Sequence, residues 1–285
     1  MSQLNSPQLD SKLLQEHVQR LSGVESAIDI VVLERVFSTN DWAMQQCRQG
    51  RQLPFVCFAE QQTAGRGRRG KRWLGGRAAN IMMTLVWPFA LEHTTMQWLP
   101  LMFAMAVVRA LETLGMDDIQ VKWPNDVLVE NKKIAGILLE TSALANGKRA
   151  IVTGIGLNYD ISALRNAIPA AAMPVTDVCT MQNKHVHHRD VRLAKVVSSR
   201  NEVAAVLLES CINFCKNFPA NRVAVRDEFL KQHDYCRGKL LDIMLADGTK
   251  LTGTGAGLDE QAALVVQIDH QQRVFHSAEV SVRAL

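Results

Sequence analysis

The stretch Gln62 to Trp73, QTAGRGRRGKRW, sets five cationic side chains among three glycines and one aromatic. Guanidinium and ammonium groups at this density hold anions, and the glycines let backbone amides approach the same oxygens. No acidic residue occurs between Gln61 and Leu91, while Arg66, Arg68, Arg69, Lys71, Arg72 and Arg77 all fall inside. Nothing close in sequence therefore neutralises the cluster. Two phosphate motifs match on paper: Gly65 to Gly70 fits GxGxxG, and Gly65 to Lys71 fits GxxxxGK. The first must open a helix, but only Lys71 to Ala79 separates its last glycine from the next strand, and that interval holds Gly75-Gly76. The second needs Ser or Thr after its lysine to hold magnesium, and Arg72 stands there. The loop suits two anions at once. A carboxylate beside a phosphate is repelled by on the order of 4 kcal/mol at contact in a moderately screened site, and several guanidinium groups offset that. This is the chemistry of activating a carboxylate with a nucleotide. An empty loop with this much like charge should be mobile and become ordered when the anions arrive.

A second constellation, KWPNDVLVENKKIAGILLE from Lys122 to Glu140, gathers Lys122, Asn125, Asp126, Lys133 and Gly136 around a hairpin. Alone, Lys132 and Lys133 read as solvated turn residues. After a Trp-Pro-Asn-Asp turn and before Ala135-Gly136, which lets a ligand approach the backbone, a site is the better reading. A third piece, GIGLN from Gly154 to Asn158, places two glycines inside a strand and again invites a ligand or a bulge.

These pieces need a scaffold. Hydrophobic periodicity predicts helices over Leu9–Leu21, Ser38–Cys47 (with a capping-box-like start), Leu99–Leu114 (closed by Gly115), Val191–Phe218 and Asn221–Asp234. Strands are expected at Asp29–Val36, Pro54–Glu60, Asn80–Trp87, Ile119–Trp123, Val127–Glu130, Ile134–Ser142 and Arg149–Asn158. The last two are joined by a turn at Asn146-Gly147. Hairpins this close imply a mixed or antiparallel sheet flanked by helices, an α+β fold. Asp160 to Asp190 reads as a loop region with little regular structure. His185, His187 and His188 with Cys179 match no zinc spacing there, so a solvated histidine-rich loop is expected. Gly238 to Leu285 alternates apolar and polar residues around turn signals, as in a small β-barrel. The expected division is 1–235 and 236–285.

Bulk properties bound the class. With 285 residues and 47% hydrophobic content the chain can bury a large core, and a net charge of +4 is too small to mark the whole surface as a nucleic-acid platform. Six scattered cysteines point to reduced thiols and a cytoplasmic protein, with Cys211 and Cys215 as core residues. No stretch reads as a signal peptide or membrane span. Leu99–Leu114 comes nearest but carries Arg109 and Glu112.

Taken together, Ser38-Thr39-Asn40, Gln62 with GRGRRGKRW, Asn80, KWPND, KKIAGILLE and GIGLN resemble the biotin protein ligases in order and spacing. The match is strong over roughly residues 30 to 160. The resemblance implies a class II synthetase-like catalytic domain followed by a small SH3-like barrel. It implies ATP, Mg2+ and biotin as reactants, with a biotin carboxyl carrier protein as acceptor. It also implies a biotin site drawn from Ser38, Thr39, Asn40, Gln62, Arg66, Gly67, Arg68, Lys133, Gly136 and Gly156. The nucleotide would be met by Arg68, Arg69, Lys71, Trp73, Asn80, Lys122, Asn125 and Asn158. Lys133, Asp126 and Arg68 would carry the chemistry, and Asp126 is the candidate metal contact. Leu74-Gly75-Gly76-Arg77-Ala78 departs from the Ser-Pro and glycine common after the tryptophan, which implies a more flexible far hinge. Repressor members carry a winged helix-turn-helix ahead of the catalytic domain, and the short amino terminus here implies no DNA binding. A homodimer through a sheet edge is compatible with the reading and not fixed by it. Two competitors are a lipoate or octanoate ligase of the same architecture and a non-enzymatic single-strand nucleic-acid protein built on the basic loop.

Overall fold

A computed structural model describes residues 8–22, 28–89, 96–144, 149–169, 173–188, 197–218, 220–277 and 280–284. The turn expected at Asn146-Gly147 and the histidine side chains at 185, 187 and 188 lie outside the described residues. In chain order the elements begin α1 (Ser11–Ser22), β1 (Asp29–Val36), α2 (Thr39–Arg48), β2 (Phe55–Gln62), β3 (Asn80–Trp87) and α3 (Leu99–Thr113). Next come β4 (Ile119–Lys122), β5 (Asp126–Val129), β6 (Lys132–Ala143), β7 (Arg149–Asn158), α4 (Val178–His188), α5 (Arg200–Asn217) and α6 (Arg222–Glu228). β8 (Leu240–Leu245), β9 (Lys250–Leu258), β10 (Leu264–Ile268), β11 (Gln271–Phe275) and β12 (Val280–Ala284) complete the chain. This is the α+β architecture expected.

The first seven strands form one sheet in the order β1-β2-β3-β7-β6-β5-β4, with β1 and β2 parallel and every other pair antiparallel. Its central strands are buried on both faces, which is why β2 and β3 read as nearly unbroken apolar runs. Val56, Phe58, Ile81, Met83, Leu85, Ile137 and Ile155 face the main core with α1, α3 and α5. Phe55, Cys57, Val86, Ala150 and Val152 face Ala43 and Cys47 of α2. α2 covers only part of its face, and the remainder is open for a ligand. α3 is buried along nearly its whole length, and Gly115 (φ 83°) ends it in the left-handed conformation. Cys211 and Cys215 lie in the core.

The last five strands form an antiparallel sheet, β11-β10-β9-β8-β12. Leu241, Ile243, Leu264 and Val266 point into the same buried cluster as the first sheet and its helices. Trp98 and Trp123 donate their indole N–H groups to Glu260 O (2.8 Å) and Ala262 O (2.9 Å), fastening the β9–β10 turn to the start of α3 and the end of β4. Among the described residues, no helix is long and apolar enough to cross a membrane.

The structure corrects the expectation of an irregular 160–190 region. A 3-10 turn spans Ser162–Ala167, and α4 is a helix. Asp177 Oδ1 accepts from Thr180 N at 2.7 Å, capping the start, while Val178 and Met181 are fully buried one turn apart. Among its described side chains only Val178 and Met181 are fully buried apolar residues, so the helix has little periodic signal.

Candidate functional site

Sheet register builds the floor of the site. One row of paired residues crosses five strands: Met82 of β3, Gly156 of β7, Gly136 of β6, Asp126 of β5 and Lys122 of β4. Two facing glycines leave a trough, with a charged pair at one end. A β-bulge between Val127 and Leu128 changes the register of β6, so that Leu128 pairs with Lys133 rather than Ile134. Without it, alternation would turn Lys133 to the opposite face from Gly136. With it, Lys133 and Gly136 share a face, and a Cβ added at Gly136 would meet Lys133 Nζ at 3.2 Å.

Lys133 is held from both sides of its backbone. Its N–H donates to Pro174 O (2.8 Å) and its carbonyl accepts from Thr176 N (2.9 Å), so the segment before α4 runs as a short parallel bridge beside it. Lys133 Nζ lies 2.6 Å from Asp126 Oδ1 and 5.3 Å from the Trp73 ring centroid. Lys122 is half-buried nearby, and desolvation pushes its ammonium below the usual lysine range against the pull of Asp126. Burial likewise lowers the Arg68 guanidinium, with Asp126 opposing and Arg69 adding to the shift. The fold thus keeps cations in a place where they are costly unless an anion joins them.

The basic loop is a small hairpin lying over this floor. Arg66 and Arg72 pair as an antiparallel bridge, Gly67 N donates to Lys71 O at 2.7 Å, and Trp73 N donates to Gly65 O at 2.9 Å. Arg69 (φ 56°) and Gly70 (φ 72°) turn it through left-handed backbone. No helix follows, which agrees with excluding both phosphate motifs. Arg68 donates to Asn125 Oδ1 (3.3 Å) and to the carbonyl of Ser277, so the second sheet helps to hold the hairpin. The Trp73 indole lies directly on the glycine floor: a Cβ at Gly156 would fall 2.5 Å from its Cζ2, and one at Gly136 3.1 Å from its Cζ3. Its Nε1 is buried without a hydrogen-bond partner among the described residues.

At the other end of the trough, Ser38, Thr39 and Asn40 open α2 and are buried. Gln62 Oε1 accepts from Thr39 N (2.7 Å) and Thr39 Oγ1 (3.1 Å), and Thr84 Oγ1 donates to Asn40 Oδ1 at 2.7 Å. Arg66 belongs to this end. It is paired with Asp41 and Glu140, acids supplied from elsewhere in the chain, so the lack of acids near the loop in sequence did not leave it unneutralised.

The cavity under the hairpin measures about 240 Å3 and brings together Ser38, Thr39, Asn40, Gln62, Arg66, Gly67, Arg68, Arg69, Lys71, Trp73, Lys122, Asn125, Asp126, Lys133, Gly136 and Gly156. Asp126 is the only acid among the described residues lining it. A second cavity of about 880 Å3 lies beyond Lys71–Trp73 and shares Lys122, Asp126, Lys133 and Val282 with the first. Asn158 lines the second cavity with Ile161, Leu164, Met173 and Val175. Sequence reasoning did not single out those apolar residues, nor Met82, Thr84 or Val282, whose local patterns are those of ordinary strand and turn residues.

Asn80 lines neither cavity. It is fully buried, donating to Asn158 Oδ1 (2.9 Å) and accepting from Gly76 N (3.2 Å). The far hinge of the loop is thus tied down at Gly76. Ala78 N also bonds to Glu60 O (3.3 Å), and Arg77 pairs with Glu34. Among the described residues, no group of three His, Cys, Asp or Glu could hold a metal. One carboxylate at the junction of the cavities fits an Mg2+ held mainly by phosphates and water.

Residues 32–158 match the biotin/lipoate A/B protein ligase family. Over 255 residues the chain is 26% identical to the bifunctional ligase/repressor BirA of Escherichia coli, covering 90% of this chain and 74% of that one. A biotin–acetyl-CoA-carboxylase ligase of Mycobacterium tuberculosis is 26% identical over 282 residues, 96% of each chain. The biotin protein ligase of Aquifex aeolicus, solved with biotin and ATP, has the same fold, with a TM-score of 0.69 at 23% identity over 90% of this chain and 99% of that one. The matched segment runs from within β1 to the end of β7 and so includes the glycine floor, the basic hairpin and Lys133; over residues 32–158 the chain is similar to the biotin/lipoate A/B protein ligase family.

Proposed function

We propose that the protein is an ATP-dependent biotin–protein ligase that converts biotin to biotinyl-5'-AMP and passes the biotinyl group to a lysine of a biotin carboxyl carrier domain. The observation that carries this reading is the glycine trough on which the Trp73 indole rests. It runs from uncharged donors and acceptors at Thr39 and Gln62 to a cluster of cations, and opens there into a second cavity. A bicyclic ureido compound with a carboxylate tail matches that order of surfaces, and ATP would enter from the second cavity.

Ser38, Thr39, Asn40 and Gln62 then face the ureido head, and the Trp73 indole, which rests on Gly136 and Gly156, would lift from them to cover the bound rings. Lys133, Arg68 and Lys122 stabilise the carboxylate and the α-phosphate as the carboxylate oxygen attacks phosphorus and pyrophosphate leaves. Mg2+ supplies charge neutralisation on the phosphates when bound, with Asp126 as the side chain that reaches it. The hairpin shields the mixed anhydride from water. In the second step the acceptor amine attacks the anhydride carbonyl, AMP leaves, and Asp126 orients the amine and takes its proton. Residues 1–235 would hold this machinery, with 236–285 closing the cleft through Ser277 and Val282.

The test combines the protein, biotin, ATP, Mg2+ and a carrier domain and reads the carrier by mass. A gain of one biotinyl group, lost when the acceptor lysine is replaced by arginine, is expected. Exchange of ATP with pyrophosphate driven by lipoate or octanoate and not by biotin would select the alternative ligase. DNA binding is no part of the proposal, and a specific DNA shift at physiological salt would add it.

Two outcomes follow from the roof. Gly156→Ala puts a methyl group where the Trp73 indole rests, so KM for biotin is expected to rise about tenfold or more, as for loss of roughly 1.4 kcal/mol of binding. An unchanged KM would remove Trp73 from the site. Arg68→Gly cuts the ties to Asn125 and Ser277, so adenylate should escape and label stray lysines. A variant that leaks no adenylate and labels no stray lysine would remove that role.

A further inference from the structure

Glu140 and Asp41 have no part in the chemistry above, yet both converge on one guanidinium. Arg66 Nη2 lies 2.7 Å from Asp41 Oδ1 and 2.7 Å from Glu140 Oε2. Asp41 comes from the first turn of α2, Glu140 from the middle of β6, and Arg66 from the entry strand of the basic hairpin. The same Glu140 oxygen accepts from Asn40 Nδ2 at 2.8 Å, and Asn40 also donates to Leu138 O at 3.3 Å. Asn40 in turn packs over Gly154, where an added Cβ would collide with its amide. One carboxylate therefore links the uncharged end of the trough to the hairpin that roofs it.

We infer that Glu140 and Asp41 are positioning residues, a two-carboxylate clasp on Arg66 that seats the entry strand of the hairpin and sets Asn40 at the head-group end. The inference rests on the biotin-ligase reading. Arg66 then serves as the hinge pin of the roof, while Lys133, Arg68 and Lys122 meet the anions at the other end. A carboxylate in the first turn of a helix is also favourably placed, so Asp41 is stable as an anion when the hairpin lifts. The three side chains are between 28% and 52% exposed, which makes each contact individually weak and the clasp reversible.

The experiment uses the isosteric double variant Asp41→Asn/Glu140→Gln, with and without Arg66→Ala. Biotin-dependent ATP–pyrophosphate exchange gives KM and kcat, release of free biotinyl-adenylate reports closure, and a thermal melt reports folding. KM for biotin and adenylate release are expected to rise about 3- to 10-fold, as for two half-exposed charge-assisted contacts, with kcat at saturating biotin much less affected. Adding Arg66→Ala should bring little further change, because the guanidinium has already lost its partners. Unchanged KM and release in the double variant, or Arg66→Ala acting additively, would overturn the clasp. So would a uniform loss of kcat tracking a lowered melting temperature. If the wild type shows no biotin-dependent exchange, the ligase reading itself fails, so the two failures are distinct.

Discussion

Lys133→Ala is expected to slow biotinyl-adenylate formation by about a hundredfold or more, the size of effect seen when one preorganised charge-stabilising donor is removed. The lysine is prepared for that role by the fold rather than by its own flexibility. A bulge turns it onto the glycine face, Pro174 and Thr176 fix its backbone, and Asp126 holds Nζ at 2.6 Å on the border of the two cavities. Removing it also takes the 2.6 Å ion pair from the Asp126 carboxylate, which faces the place where a phosphate must approach. Because Mg2+ would be held mainly by phosphates and water, the double variant Lys133→Ala/Asp126→Ala should recover part of the exchange rate at saturating Mg2+ while remaining defective in transfer to the carrier. Lys133→Arg keeps the charge but spreads it over a planar fork, so partial activity is expected. Near-normal pyrophosphate exchange by Lys133→Ala would sink the assignment. Exchange in the double variant no better than in the single would show that the exposed carboxylate adds nothing to the barrier.

Much of this site was legible because its signals are local. GIGLN placed two glycines in one strand, KKIAGILLE placed another, and the register brought Gly156 and Gly136 opposite each other. Ser38 reads as a helix cap and is one, accepting from Asp41 N. The lack of helical space after Gly70 excluded the dinucleotide motif, and Arg72 in place of Ser or Thr excluded the P-loop. What stayed hidden depends on pairings between distant parts of the chain. Glu140 lies 74 residues from Arg66, so the basic stretch looked wholly uncompensated. The bulge that aims Lys133 follows from how β5 meets β6 and leaves no mark on composition. The segment before α4 reads as linker, yet its backbone flanks Lys133 on both sides. Asn80 illustrates the limit of motif transfer, since its side chain is spent behind the cavity on Asn158 and Gly76.

The most buried ion pair among the described residues is Glu60 with Arg200, 140 positions apart, and breaking it is expected to cost about 3–5 kcal/mol of stability. Their side chains are 2% and 0% exposed, and Arg200 Nη1 lies 2.7 Å from Glu60 Oε2. Burial pushes the Arg200 guanidinium down and Glu60 pulls it back, so the cation persists there because of its partner. It also opens α5, where the helix dipole disfavours a positive charge. The pair has further attachments: Glu60 Oε1 accepts from Leu9 N (2.7 Å), and Arg200 Nη2 donates to Asn80 O (3.0 Å). One buried contact thus joins the segment before α1, the end of β2, the start of β3 and the start of α5, directly behind the loop's far hinge. Glu60→Ala strands a buried cation, whereas Glu60→Leu/Arg200→Leu removes both charges and should cost much less if the Coulombic pairing dominates. Denaturant melts of the three proteins decide the matter. A loss below about 1 kcal/mol for Glu60→Ala would mean that the arginine finds water or another acceptor. A double variant as unstable as the single would assign the stability to the bonds with Leu9 N and Asn80 O. In that case the loop's far hinge should loosen in both variants, visible as faster escape of the adenylate.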